Sequence, residues 1–326
     1  MSHIKFIDRT KRFLEKGEPF FFIVNFEKSK AHAYTYAEAH EQGILFDING
    51  KTNIQSNKNN IQAPATPPIE VEPFPFKSYL QGFEKVVQNL KMGNSFLVNL
   101  TFPSKIISPL TLESIYWKAN APYKLLFKDK FVCFSPECFI KIKNGFVHSY
   151  PMKGTIDASL EGAPDALMNS HKEQQEHHTI VDLIRNDLSM ISRDVTVKKF
   201  RYLEKIKTAK GDIWQTSSEI RGKLEDGWQK DFGPLLLKML PAGSISGAPK
   251  PQTLKIINEA ENYQRGYYTG VFGIFDGNSI DSGVAIRFIE SKEDGFWYKS
   301  GGGITHQSNV KEEYIELINK IYIPTV

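Results

Sequence analysis

Short strands that follow one another in antiparallel order, with helices set between groups of them, predict an α+β protein. Three observations carry that expectation. From Tyr123 to Tyr150 short apolar runs alternate with turns, and Asn144-Gly145 fits a tight hairpin between Cys138–Lys143 and Phe146–Tyr150. A second meander spans Tyr267–Phe275, Ser279–Glu290 and Gly295–Ser300. Helical spacing comes in blocks between these runs and does not alternate with single strands, as a parallel Rossmann sheet would require.

The elements follow in order. Apolar runs at Phe20–Phe26 and Ile44–Ile48 read as strands on one edge. Between Asn49 and Phe76 the chain turns to Asn, Gln and Pro, which marks a loop or linker and the clearest boundary present. Residues 1–76 form a short N-terminal segment, residues 77–326 the larger region, and no break forces two separate domains. Lys77–Met92 is helical through Leu80, Phe83, Val87 and Leu90, stops at Gly93-Asn94 and leads into strand Ser95–Phe102. Ala166–Met190 is helical, and strands Val195–Phe200 and Ile213–Leu224 come after it. Helices are expected at Phe232–Leu240 and at Pro249–Glu261, where a proline in the first turn loses no hydrogen bond. A helix over Asn309–Ile323 closes the chain.

Composition narrows the function. The 326 residues are 40% hydrophobic with a formal charge of +4, and no basic block argues for nucleic acid. No apolar run reaches the length of a membrane span, and Met1-Ser2-His3-Ile4-Lys5 lacks a signal-peptide pattern, so a cytoplasmic protein without membrane contact is expected. The two cysteines, Cys133 and Cys138, lie in or near strands without zinc-ligand spacing and read as small buried apolar residues.

Lys153 stands at a strand end in Pro151-Met152-Lys153-Gly154-Thr155, and the Asn144-Gly145 hairpin aims it and Glu137 toward one end of the same sheet. The pentapeptide alone is far more often the setting of a solvated lysine. Glu173 and Glu176 share a face of one helix with Ile180 and Leu183, and Glu313, Glu316 and Lys320 share a stripe with Leu317 on another. Two such carboxylate pairs suit a hard divalent cation such as Mg²⁺, although each is also the pattern of an ordinary solvated pair. Gly243-Ser244-Ile245-Ser246-Gly247-Ala248-Pro249-Lys250 has the look of a phosphate loop but not its order, because Ala248 and Pro249 separate the last glycine from Lys250. A nucleotide site is rejected.

Taken together, Pro151–Thr155, Glu176-His177-His178-Thr179-Ile180-Val181-Asp182-Leu183-Ile184-Arg185-Asn186-Asp187-Leu188, Pro241–Lys250, Tyr268–Gly273, Ala285-Ile286-Arg287, Gly301–Ile304 and Glu313-Tyr314-Ile315-Glu316 resemble the motifs of the chorismate-utilising enzymes. That family includes anthranilate synthase large subunits, aminodeoxychorismate synthase component I, and isochorismate and salicylate synthases. The resemblance runs from about Lys77 to the C-terminus and is looser before it. It implies two packed antiparallel β-sheets flanked by helices, with the active site between them.

The resemblance also implies roles. Lys153, in a P-x-K-G-T context similar to that of the aminodeoxychorismate synthases, would be the nucleophile. Glu137 would protonate the leaving hydroxyl and later act as base. Glu176 and Glu316 would ligate Mg²⁺ directly, with Glu173 and Glu313 holding metal-bound water. Chorismate carries two carboxylates; one would meet the metal and the other Arg287 with backbone N–H groups around Gly301, Gly302 and Gly303, although a glycine run after a strand is otherwise a loop and an arginine in an alternating strand a surface cation. Lys320 would add charge, and Ser246 and Thr155 would be polar contacts. A lysine of ordinary pKa, ~10.4, would need lowering by about three units to attack, with burial and metal pushing that way and carboxylates opposing.

Two departures bear on the product. Leu97 stands where relatives that install water carry a lysine and relatives that install an amine usually carry glutamine, so it argues against the former while departing from both. Gln215 stands where others carry a histidine tied to pyruvate elimination. The implied reaction is amination of chorismate with ammonia. Anthranilate synthase component I and an inactive chorismate-binding subunit are the alternatives. Neither cysteine has a nucleophile-elbow setting, and the ends of the chain leave little room for another domain, so ammonia from glutamine would require a glutamine amidotransferase partner.

Overall fold

Strand Phe20–Val24 is apolar at all its positions because both of its faces are covered. In the computed structural model, which describes residues 2–54, 69–208 and 211–325, its alternate side chains serve two layers. Phe20, Phe22 and Val24 join Phe6, Phe13 and Phe232 from helices His3–Lys16 and Phe232–Met239. Phe21 and Ile23 join Ile44, Phe46 and Leu125 of a second sheet, and the Phe21 and Phe46 rings stack at 5.1 Å.

Among the described residues the strands form two nine-stranded sheets, paired antiparallel throughout. The first runs Met152–Asp157, Gly211–Lys223, Phe146–Ser149, Cys138–Lys143, Ile280–Val284, Val271–Phe275, Phe20–Val24, Ala31–Tyr34, with Arg193–Thr208 also paired to Gly211–Lys223. The second runs Gly247–Ala248, Leu97–Ile107, Gly295–Ile304, Phe288–Lys292, Phe131–Ser135, Tyr123–Phe127, Ile44–Ile48, Lys51–Thr52, with Glu70–Glu72 also paired to Leu97–Ile107. Helix Leu112–Lys118 covers the far face of the second sheet by packing Ile115 and Tyr116 against Val132, Phe134 and Ile289. This is the α+β architecture expected, with helices outside two packed sheets.

Several expectations change. Phe20–Val24 and Ile44–Ile48 do not share an edge but lie in different sheets, so strands from the first 76 residues enter both. Ser279–Glu290 is not one strand; Ile280–Val284 belongs to the first sheet and Phe288–Lys292 to the second. The chain crosses between them at Arg287, whose φ of 52° breaks the extended backbone. Ala166–Met190 divides into Ala163–Asn169 and His171–Ser189 at Ser170, whose hydroxyl caps the second helix. Pro249 precedes helix Lys250–Glu261 as its N-cap residue. The Asn/Pro-rich linker falls largely on residues 55–68, outside those described.

The inter-sheet layer makes a direct prediction. Phe21→Ala should lower stability by about 3–5 kcal/mol, the range for truncating a buried phenylalanine. Phe96→Ala, at a side chain 73% exposed, should stay within about 0.5 kcal/mol of the parent. Urea unfolding midpoints at constant slope compare the two.

Candidate active site

Two crossings of the chain between the sheets lie side by side. One passes from Phe131–Ser135 through Glu137 to Cys138–Lys143, the other from Ile280–Val284 through Arg287 to Phe288–Lys292. They are stitched together by Val284 N–H donating to Glu137 O at 3.1 Å and Phe134 N–H donating to Arg287 O at 3.1 Å. A cavity of about 910 Å³ opens at this junction, and Glu137, Lys153, Glu176, Arg287, Lys320 and Gly301–Gly303 all line it.

A bulge aims Lys153. The pairing of Met152–Asp157 with Gly211–Lys223 shifts register between Met152 and Thr155, around Gly154 at φ 82°. Gly154 has the left-handed backbone that favours glycine, and a Cβ there would lie 2.7 Å from Oε2 of Glu173, so a larger residue would also displace that carboxylate. The Thr216 hydroxyl donates to the Lys153 carbonyl and fixes the bulge. Lys153 Nζ then reaches Oε2 of Glu176 at 3.0 Å. Burial acts to lower the lysine pKa, but Glu176, Glu316 and Glu173 together outweigh it, so Lys153 is raised above its ordinary value. The expected depression is therefore reversed in the protein alone. Beyond the bulge Thr155 turns outward, exposed and paired with Gln215; neither lines the cavity, contrary to the contact expected of Thr155.

Glu137 follows Pro136 at the first crossing. Its N–H donates to the Ser135 hydroxyl at 3.0 Å, and the Ser244 hydroxyl donates to its Oε1 at 2.6 Å. Burial raises its carboxyl pKa, and Ser244 with the charges of Lys153, Lys320 and Arg287 only partly offsets that. A carboxyl held above its usual range beside cations suits proton donation. The serine expected here, Ser246, is buried and donates to Ala242 O at 2.7 Å without lining the cavity. Ser244 takes the place assigned to it, because the intervening helical turn Gly243–Ser246 points the two side chains apart.

Arg287 is not a surface cation. Its Nη1 donates to Lys320 O at 2.9 Å and its guanidinium lies 4.8 Å from the Tyr322 ring centre. Gly301–Gly303 form no loop; they lie within strand Gly295–Ile304, opposite Thr101, Leu100 and Asn99, and a Cβ on Gly301 would come 2.3 Å from Leu100 O. Part of their backbone is thus engaged in the sheet, and they present a flat wall. Lys320 Nζ donates to Gly301 O at 2.8 Å and sits 2.7 Å from Glu316 Oε1.

The four glutamates come from helices His171–Ser189 and Val310–Asn319. Burial and then the charge of Glu176 raise Glu173. Glu313 is also raised by burial, by Glu316 and by Glu176 across the cavity, against a 2.7 Å hydrogen bond from Ser308. For Glu316, burial is outweighed by Lys320 and Lys153, and the carboxyl is lowered. Like charges on two helices that feel one another over open space are the donor chemistry a hard divalent cation takes. Among the described residues, however, no three His, Cys, Asp or Glu side chains already stand in a metal-holding group, and lysines neutralise Glu176 and Glu316.

Beneath the floor lies a network the sequence reading missed. Arg265, with a side chain 1% exposed, donates from Nε to Glu261 Oε2 at 2.8 Å and from Nη2 to Oε1 at 2.5 Å. It also donates to Asn99 O at 2.6 Å and Ile245 O at 2.8 Å, while Thr101 N–H and hydroxyl donate to Glu261 at 2.9 and 3.0 Å. The i, i+4 spacing of Glu261 and Arg265 was the available signal. Glu261→Gln should cost about 3–5 kcal/mol, because it leaves the Arg265 charge buried without its counter-ion. Thermal unfolding of that variant tests the assignment.

A family model described as chorismate binding enzyme matches residues 6–325. The "Uncharacterized PabA-like protein" of Haemophilus influenzae is 51% identical over 99% of this chain and 97% of its own. Aminodeoxychorismate synthase component 1 of Bacillus subtilis is 31% identical over 77% of this chain and 55% of its own. The crystal structure of a 2,3-dihydroxybenzoate-specific isochorismate synthase from Bacillus anthracis superposes with a TM-score of 0.71 over 98% of this chain and 87% of its own, at 19% identity, a likeness of fold.

Proposed function

The chain belongs to the chorismate-binding enzymes, and on that footing we propose that it converts chorismate and ammonia to 4-amino-4-deoxychorismate, the precursor of 4-aminobenzoate and folate. The observation that carries the choice is Lys153 in one cavity with Glu137. Lys153 attacks the ring through Nζ, the ring double bonds shift, and the 4-hydroxyl leaves as water with the proton of Glu137. Ammonia then adds at the vacated carbon and the double bonds return. Lys153 is expelled and Glu137 takes back a proton, so chorismate and ammonia give the amine and water. Leu97 lines the cavity and has no atom that could activate water, which favours amination over hydroxylation. The reading favours amination over anthranilate formation on Lys153 itself; Gln215, away from the cavity, bears on neither.

Glu176 and Glu316 would hold Mg²⁺ directly, with Glu173 and Glu313 holding metal-bound water; of the four, Glu176 and Glu313 line the cavity. Bound there, the cation supplies positive charge for one carboxylate of chorismate. Arg287 and Lys320 face the other. Ammonia is proposed to come from a glutamine amidotransferase subunit. Cys133 is sealed inside a strand with its thiol pushed far up by burial, and burial pushes the Cys138 thiol up to about 12, so neither offers the thiolate that glutamine hydrolysis uses.

Incubation of the protein with chorismate, an ammonium salt and Mg²⁺, followed by mass analysis, tests the reading. The expected product retains the pyruvyl group, whereas anthranilate would overturn the assignment. Lys153→Ala should reduce product to background while chorismate still binds, and wild-type turnover would remove Lys153 from the chemistry. Glu137→Gln should lower kcat by about 10²–10⁴-fold. Glu137 donates only while protonated, so its limb of the pH profile should hold activity below its raised pKa and lose it as pH rises through that value, above the ordinary glutamate range.

A second prediction concerns the cation. Glu176→Gln and Glu316→Gln should each raise the Mg²⁺ concentration for half-maximal activity by at least about 10-fold, since loss of even an outer partner of a metal ligand costs that much. Titration curves that coincide with wild type for both variants would place the cation elsewhere.

A further inference from the structure

We propose that Ser244 is a positioning residue for Glu137, and that Asp187, paired with Lys250, holds Ser244 in place from outside the cavity. The proposal rests on the reading of Glu137 as proton donor. A lone carboxyl at a chain crossing can turn about its last bond and present either oxygen. The Ser244 hydroxyl, donating at 2.6 Å, occupies Oε1 and leaves Oε2 to carry the exchangeable proton. A rotation that took Oε1 elsewhere would break this bond, at a half-buried wall of the cavity where, among the described residues, neither partner has another side-chain hydrogen bond to replace it.

Ser244 needs its own support. It lies in a helical turn of four residues, Gly243–Ser246, too short to hold its shape without outside contacts. The turn is clamped at its first residue, where Gly243 N–H donates to Asp187 Oδ2 at 2.8 Å. Gly243 permits that approach, since a Cβ there would already be 3.1 Å from the same oxygen. Asp187 Oδ1 meets Lys250 Nζ at 2.6 Å, with the aspartate side chain 3% exposed. Lys250 also donates to Met239 O. Neither Asp187 nor Lys250 lines the cavity, so substrate contact does not account for this buried pair. Asp187 belongs to helix His171–Ser189, which carries Glu173 and Glu176 near its start. One rigid rod therefore sets the carboxylates at one end and, through Gly243 and Ser244, the proton donor at the other.

Ser244→Ala, Ser244→Thr, Asp187→Asn and Glu137→Gln are compared in the amination assay across pH, with thermal unfolding to confirm that each is folded. Ser244→Ala should lower kcat about 10–100-fold with KM little changed, the span of a hydrogen bond to a charged group. It should also move the limb that reports Glu137 to higher pH, because the lost hydroxyl favoured the charged carboxylate. Ser244→Thr should restore both. Asp187→Asn keeps an acceptor for Gly243 but leaves Lys250 without its counter-ion, and should show the same shift of the limb; a loss of thermal stability with the wild-type limb would confine Asp187 to a structural role and overturn its part. Infrared titration of the protonated Glu137 carboxyl, recognised by its absence in Glu137→Gln, follows the same shift without catalysis. Full activity in Glu137→Gln would sink the reading of Glu137 itself. An inactive Glu137→Gln, together with a Ser244→Ala variant like wild type in both kcat and carboxyl titration, would overturn the role of Ser244 alone.

Discussion

A guanidinium without water must be fully paired, and Arg265 meets that condition only by gathering several separate pieces of chain around itself. Glu261 takes its charge in two-point contact, while Asn99 and Ile245 lend carbonyls. Asn99 lies in the strand that backs the glycine wall, and Ile245 is the neighbour of Ser244. Lys299, itself buried, donates to Arg265 O at 3.0 Å and joins strand Gly295–Ile304 to the same knot. The desolvation cost of one arginine thus obliges the floor and one wall of the cavity to meet in a single arrangement. Apolar packing alone, being non-directional, would define that arrangement less sharply.

Above that floor the charges are arranged as interchangeable partners. Lys153 satisfies Glu176, Lys320 satisfies Glu316, and the remaining carboxyls are pushed toward their neutral forms by burial. A nucleophilic lysine requires the opposite state, neutral and free. On the proposed reading the two needs are reconciled by competition: once Glu176 serves as a metal ligand, Lys153 loses the partner that does most to raise it, and its burial acts unopposed by that charge. The pairing of the free protein would then be a resting form in which the half-exposed lysines and glutamates of the cavity balance one another.

What was legible in the sequence was whatever a local pattern encodes. The Asn144-Gly145 hairpin, helix Phe76–Lys91 and the all-apolar strand at Phe20 follow from turn chemistry and periodicity. Sheet membership was not legible. Val284, Ala285 and Ile286 run on without glycine or proline, so the crossing to the second sheet leaves no mark beyond the unusual backbone of Arg287. Thr155 and Ser246 failed as contacts for a related reason. A bulge at Gly154 and a helical turn at Gly243 each rotate the following side chains by an amount that residue spacing does not state. Lys153, Glu137, Arg287 and Lys320 do meet in one cavity, yet the family motifs, not periodicity, singled them out.

The paired crossings at Glu137 and Arg287 have a consequence for how the protein comes into being. Each crossing exists only where a strand of one sheet continues into a strand of the other, and each is bonded to the chain beside its neighbour. Neither sheet alone can present the two side chains, which come from distant parts of the chain. The pocket therefore requires both sheets docked, and it is lost when they separate. Ligand capture should track the docking of the sheets more closely than it tracks secondary structure content. A bound anion spanning the junction would act as a clasp between them, stabilising the docked assembly over the separated sheets.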